Sequence, residues 1–201
     1  MSKRTFDFII ALLGLLLLTP FFALVGILVK LDSPGPILFR QERVGRGFRF
    51  FTIYKFRTMI HDRPVQGDLI TPGNDHRVTR VGSFLRKTKI DELPQLINVL
   101  KGDMSLVGPR PEVPRYVELF RKDYGEILKV RPGITDPASL KYRDEAKFLA
   151  AAENAEEEYL HRVLPEKIAL NKQYIREASF LFDLNLIVRT LVRVFELERA
   201  K

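Results

Sequence analysis

The sequence predicts a mostly helical domain with one small β-hairpin, set behind a long apolar N-terminal helix. Three observations carry that prediction. Residues 8–29 form a run of 22 without a charge. Residues 37–43 and 48–56 are two short β-prone runs joined through Gly45-Arg46-Gly47. From Val81 onward, segments of helical spacing alternate with Pro- and Gly-bearing turns.

At about 1.5 Å per residue, a straight helix over the uncharged run measures about 33 Å, enough to cross a bilayer core. No small-residue cleavage site follows, and the run is too long for the core of a secretory signal. Thr19-Pro20 interrupts it near the centre, where Pro removes a backbone hydrogen bond and kinks a helix. Lys3 and Arg4 precede the run, and Lys30, Arg40, Arg43, Arg46 and Arg49 follow it. Cationic flanks favour the cytoplasmic side at both ends. A kinked helix that enters and leaves by one face satisfies both observations. A single span with a tolerated Pro is the alternative.

Asp32-Ser33-Pro34-Gly35-Pro36 reads as a turn, and 61–79 as a polar surface loop. Helices are expected over 81–87, 93–100, 113–128, 146–159, 165–178 and 180–198. Gly108-Pro109-Arg110-Pro111 and Arg131-Pro132-Gly133-Ile134-Thr135 are stiff turns, each presenting one Arg. The last helix carries Arg189, Arg193 and Arg199 between apolar residues, a pattern suited to a membrane surface or to packing on the core.

Net charge is +8, which favours an anionic partner. With no cysteine in the chain, a disulfide framework, a thiolate nucleophile and a Cys-based metal site are excluded. His61, His76 and His161 show no paired metal spacing.

The sharpest local feature is Asp91-Glu92, where a basic stretch gives way to the helix over 93–100. At 100° per residue, Leu93, Leu96, Ile97 and Leu100 share one apolar face, with Asp91, Gln95 and Asn98 opposite. Carboxylates at a helix start cap its free N–H groups, and acidic residues are common there. A second reading is a carboxylate nucleophile for a phosphoryl group, since the same helix end also tolerates phosphate. Arg86, Arg110, Arg131 and Arg143 lie near expected turns or helix ends, and Arg forks match phosphate oxygens in pairs. Paired carboxylates, fixed arginines and a membrane helix point to an enzyme acting on a phosphorylated substrate at a bilayer.

The chain resembles the monotopic polyprenol-phosphate phosphoglycosyl transferases, the bacterial sugar transferases. The likeness runs through Lys3-Arg4-Thr5-Phe6-Asp7, Asp32-Ser33-Pro34-Gly35-Pro36, Arg40-Gln41-Glu42-Arg43-Val44-Gly45 and Tyr54-Lys55-Phe56-Arg57-Thr58-Met59. It continues in Asp91-Glu92-Leu93-Pro94-Gln95, Asn98-Val99-Leu100-Lys101-Gly102-Asp103-Met104-Ser105, Val107-Gly108-Pro109-Arg110-Pro111 and Val130-Arg131-Pro132-Gly133-Ile134-Thr135. The resemblance implies a compact α/β domain over 31–201 with amphipathic interfacial helices. It would sit on a re-entrant membrane helix over 1–30, at the cytoplasmic face of the bacterial inner membrane. It also implies the minimal, catalytic-domain-only form.

The implied reaction moves a sugar 1-phosphate from a UDP-sugar donor to a polyprenol phosphate acceptor, undecaprenyl phosphate, with release of UMP. Asp91 would be the nucleophile and Glu92 a base or metal ligand. Mg²⁺ would be held at Asp91 and Glu92. Candidate substrate-binding residues are Lys55, Arg57, Arg86, Arg110, Arg131 and Arg143, and Thr19 with Pro20 would form the membrane-helix kink. Expected partners also include membrane lipids but no nucleic acid, and the chain is compatible with either a monomer or a homodimer on the membrane.

Two departures stand out. Thr19-Pro20 replaces the Ser-Pro often found at the kink. After Thr135 the chain reads Asp136-Pro137-Ala138-Ser139-Leu140-Lys141-Tyr142, where many relatives continue Gly-Trp-Ala-Gln-Val-Asn-Gly. Sugar recognition is expected in that stretch, so the sugar does not carry over. Two rivals are a phosphodiesterase using water as acceptor, and a basic membrane scaffold with no need of Asp91.

Overall fold

The computed structural model of the chain describes residues 2–60 and 75–199, so most of the loop expected over 61–79 lies outside the described residues. Helix α1 (Lys3–Asp32) runs unbroken for 30 residues with Pro20 inside it. Thr19 Oγ1 donates to Leu15 O at 2.7 Å, a back-bond that Thr, like Ser, can make to a preceding carbonyl. The helix is long and apolar enough to cross a membrane.

One face of α1 lies along the rest of the molecule through both halves. Ala11 packs with Leu96, Val99, Met104 and Leu106, and Val25 and Val29 pack with Phe56 and Leu85. Buried Asp7 accepts from Ser105 Oγ at 2.7 Å and from Leu106 N at 3.3 Å. Arg4 donates to Val99 O and Leu100 O at 2.6 and 3.1 Å. At the other end Arg57 Nη2 donates to Val29 O at 3.1 Å and to Ser33 Oγ at 3.0 Å, where the helix dipole favours a cation. The opposite face leaves Leu13, Leu16, Leu17, Leu24, Ile27 and Leu31 exposed.

Strands β1 (Leu38–Val44) and β2 (Phe50–Phe56) form an antiparallel hairpin, Leu38 opposite Phe56 and Val44 opposite Phe50. The second strand starts later than expected because Arg46–Phe48 closes a 3₁₀ turn with Gly47 at φ 66°. Helix α2 (Arg80–Thr88) begins at Thr79, whose side chain accepts from Gly82 N.

The expected helix over 93–100 divides into a 3₁₀ turn, Ile90–Gln95, and helix α3 (Leu96–Lys101). Pro94 brings no N–H, which suits the short tight turn rather than a helix interior. The polar face opposite the apolar one is also covered: Gln95 and Asn98 are buried at 1% and 0% exposure. Strand β2 is the cover. Tyr54 N donates to Asn98 Oδ1 at 3.2 Å, and Asn98 Nδ2 donates to Thr52 O at 2.7 Å.

Strands β3 (Ser105–Val107) and β4 (Gly133–Thr135) pair in parallel, a pairing the sequence pattern did not show. Three-residue strands are too short to display alternation, and their partners are distant in sequence. The helix expected over 113–128 breaks at Phe120 (φ −113°, ψ 34°) into α4 (Pro114–Leu119) and α5 (Arg121–Ile127). Helix α6 (Pro137–Lys141) is capped by Asp136. The helix expected over 146–159 divides into α7 (Glu145–Ala150) and α8 (Ala155–Glu158), because Asn154 caps the second. A π-helical turn, Tyr159–Val163, leads into α9 (Leu164–Glu177), and α10 (Phe180–Arg199) ends the described chain. Val113, Tyr116, Tyr124, Ile127, Leu149 and Leu164 build the core beneath these helices. Helix α10 buries Leu186 but exposes Leu181, Leu184, Val188 and Leu191.

Candidate active site

Asp91 and Glu92 lie in the first turn of the 3₁₀ segment, at 7% and 8% exposure. Lys89 turns the chain out of α2 in the left-handed region at φ 60° and faces both carboxylates electrostatically. What surrounds the pair is therefore a ring of cations rather than the start of a long helix.

Glu92 is saturated. Lys55 Nζ donates to Oε1 at 2.9 Å, Arg110 Nη1 donates to Oε2 at 2.9 Å, and Arg110 Nη2 also donates to Oε1. This is the bidentate fork that favours an Arg–carboxylate pair. Burial acts to raise Glu92, but Arg110 and Lys55 outweigh it and hold the carboxyl well below its usual range. The charge of Glu92 in turn raises Arg110. Burial lowers Lys55, with Glu92 opposing.

Asp91 is in the opposite condition. Burial, then the charge of Glu92, push its carboxyl up to about 6, against the pull of Lys55, Lys89 and Arg86. Its Oδ1 is buried with no hydrogen-bond partner. At neutral pH this carboxylate is still ionised, yet poorly solvated and open at one oxygen. Such a group is a competent nucleophile, or an acceptor waiting for a donor or cation. Buried Gln95, in the same turn, has neither side-chain oxygen nor nitrogen paired.

The Arg110 turn is laced to its neighbours through backbone. Gly133 N donates to Pro109 O, and Gly108 N to Thr135 O, both at 3.0 Å. The two glycines allow this approach, since a Cβ on Gly133 would lie 2.1 Å from Gly108 N. Arg110 N donates to Asp136 Oδ2 at 2.7 Å.

The structure thus gathers Asp91, Glu92, Lys55, Arg110 and Arg86. Arg86 donates from Nε to Thr58 Oγ1 at 2.8 Å; burial lowers it, and Asp91 opposes that shift. The other three candidate cations make their described contacts elsewhere. Arg57 holds the end of α1, with Nε and Nη1 buried and unpartnered. Arg131 Nε donates to Gly102 O at 2.8 Å. Arg143 Nη1 donates to Arg193 O on α10, and its Nη2 is buried without a partner.

Among the described residues, no group of three His, Cys, Asp or Glu side chains could hold a metal ion. Asp91 Oδ1 is the open oxygen for a hard cation, while both oxygens of Glu92 already take donors. Sequence reasoning missed Asp136 and the bolt from Asn98 to β2. Asp-Pro ahead of Ser139 does signal a helix cap, but nothing local shows the reach back to Arg110.

The pattern of the family described as bacterial sugar transferase matches residues 1–197. Over 194 residues the chain is 40% identical to UDP-N-acetylgalactosamine-undecaprenyl-phosphate N-acetylgalactosaminephosphotransferase of Aeromonas hydrophila, covering 94% of this chain and 42% of that protein. It is 38% identical over 200 residues to UDP-glucose:undecaprenyl-phosphate glucose-1-phosphate transferase of Escherichia coli (strain K12), covering 96% of this chain and 40% of that one. With exopolysaccharide production protein PSS of Rhizobium leguminosarum bv. phaseoli it shares 39% identity, over 99% of this chain and 96% of that protein. The chain therefore spans about two-fifths of the length of the first two relatives and nearly all of the third.

Proposed function

This chain belongs to the bacterial sugar transferase family, and from that premise we propose that it transfers a sugar 1-phosphate from a UDP-sugar to a polyprenol phosphate, with release of UMP. The observation that carries the reading is the asymmetric pair: an open, raised Asp91 beside a Glu92 locked by Arg110 and Lys55. The relatives named for undecaprenyl phosphate supply the substrate class.

An Asp91 carboxylate oxygen attacks the phosphorus that bears the sugar. An O–P bond forms, the bond to the bridging diphosphate oxygen breaks, and UMP leaves with that oxygen. The polyprenol phosphate oxygen then attacks the same phosphorus. The Asp91–phosphorus bond breaks, the carboxylate is regenerated, and a polyprenyl-diphosphate sugar departs. Arg110, Lys55 and Arg86 oppose the charge of the diphosphate where bonds change. Glu92, ionised and doubly engaged, is a weak base; its role is to fix Arg110 and Lys55 beside the nucleophile. Asp91, through its unpartnered Oδ1, would be the residue to hold Mg²⁺, and the ion would supply neutralisation of the charge on the departing UMP.

Contact of both halves of α1 with one domain supports a re-entrant helix, because a perpendicular span would carry one end out of reach. The exposed apolar faces of α1 and α10 then meet lipid, with the domain on the cytoplasmic face. The product would begin assembly of a glycoconjugate. Relatives named for N-acetylgalactosamine and for glucose are similar at 40% and 38% identity, so identity alone does not choose the sugar.

The test is UMP release by the protein in nanodiscs with undecaprenyl phosphate, Mg²⁺ and a panel of UDP-sugars. Release with some sugars, dependent on both lipid and Mg²⁺, is expected. Release with lipid absent but water present, turnover after turnover, would indicate the phosphodiesterase instead. Single cysteines at Ser2 and at exposed Pro34, in a chain with none of its own, should both resist labelling from outside intact cells, and labelling at Pro34 would show a span.

A further inference from the structure

We propose that Asp136 is a positioning residue whose buried carboxylate pins the backbone amide of Arg110 and thereby sets the guanidinium that grips Glu92. The inference rests on the reading of Arg110 as a phosphate-facing cation. Asp136 is fully buried, at 0% exposure. A carboxylate is costly in such a place unless hydrogen bonds satisfy it. One oxygen accepts from Ser139 N, which caps α6. Capping needs only one oxygen, and Ser, Thr or Asn performs it about as well.

The second oxygen does something a cap does not require. It accepts Arg110 N at 2.7 Å, from a residue 26 positions away. Arg110 stands between Pro109 and Pro111, which have no N–H. Its amide is therefore the one backbone donor of the Pro-Arg-Pro turn, and Asp136 receives it. The flanking carbonyl of Pro109 is held by Gly133 N, so the amide bond fixes the remaining freedom at the Arg110 Cα. From that fixed point the side chain meets Glu92 in bidentate fashion. The 136–142 segment is thus tied at its first residue to Arg110.

Asp136→Ser separates the two roles, because Ser caps α6 but is too short to reach Arg110 N. Two measurements follow on wild type and this variant. In amide hydrogen exchange, Arg110 N should lose its protection while Ser139 N keeps it; equal protection of Arg110 N in both proteins overturns the anchor, whatever the substrate is. In turnover assayed well below the variant's own melting range, Asp136→Ser should lower kcat roughly tenfold or more, alongside the lower melting temperature expected from the stranded Arg110 N–H. In an Arg110→Ala background the same substitution should cost less than about twofold, since coupled residues are non-additive. Equal losses in both backgrounds overturn the positioning role. If wild type turns over no UDP-sugar, the proposed function fails while hydrogen exchange still decides the anchor.

Discussion

Adjacent in sequence and equally buried, the Glu92 half and the Asp91 half of the site are in opposite physical states. Glu92 accepts from Lys55 and from both Nη atoms of Arg110. Asp91 leaves Oδ1 unpaired, and Gln95 in the same turn leaves its whole amide unpaired. A few residues on, Asn98 has both oxygen and nitrogen engaged with β2. Burial alone therefore does not account for the orphans, since the same short segment satisfies its other polar groups. The comparison teaches that the saturated half is scaffold for the open half: fixed cations are held ready, and one carboxylate is left unsolvated beside them.

The largest expected effect breaks the open half. Asp91→Asn should lower UMP release at least about a thousandfold, the scale of losing a nucleophile, with membrane association and fold retained; near-wild-type rates would remove Asp91 from the chemistry. Acid closes the same half reversibly. Because burial and Glu92 push Asp91 up to about 6 in the metal-free site, turnover at limiting Mg²⁺ should fall about tenfold per pH unit below that value and level off above it. A profile flat from pH 5 to 8 would show that its ionisation is not required.

Breaking the saturated half should read out in both turnover and stability, because Glu92 fixes Arg110 and Lys55 beside Asp91. Glu92→Gln strands Arg110 and Lys55 without their counter-charge, a loss of about 3 kcal/mol by the measure of other buried pairs, visible as a lower melting temperature. A last effect has the opposite sign. The folded value of Asp91 is raised from 3.8 to about 6, so its contribution to stability is complete below the unfolded value and lost as pH rises through 6. Asp91→Asn should therefore stabilise the protein by roughly 3 kcal/mol near pH 7.5 and by little below pH 4. Chemical denaturation at the two pH values checks it, and an equal ΔΔG at both would break the comparison.

Much of this organisation was legible in the chain, and the limits follow from range of interaction. The uncharged run, the hairpin and most helices were visible because each is a periodicity within a short window. Helix ends and breaks were less so: Phe120 and Asn154 divide expected helices through backbone and capping choices that a hydrophobic pattern does not register. The Asp91-Glu92 pair stood out, as did Arg110 in its Pro-bounded turn. The division of labour between the carboxylates did not, because Lys55 on β2 and Arg110 beyond β3 reach Glu92 only after folding. The polar face of α3 showed in the helical spacing, but not that β2 supplies the hydrogen bonds of Asn98. Asp136 read only as the start of a stretch where sugar recognition is expected, while it caps α6 and its second oxygen serves a residue far back in the chain.

The central claim, that Asp91 carries the phosphosugar covalently, is tested most directly by omitting the acceptor. Protein in nanodiscs free of polyprenol phosphate is mixed with Mg²⁺ and an active UDP-sugar, quenched rapidly, and weighed intact while UMP is counted. The account predicts a burst of at most one UMP per chain, a matching mass gain of one sugar phosphate, and neither in Asp91→Asn. An acceptor-free wild type that yields no UMP and no adduct, yet turns over once lipid is added, would contradict it and point to direct transfer between the two substrates.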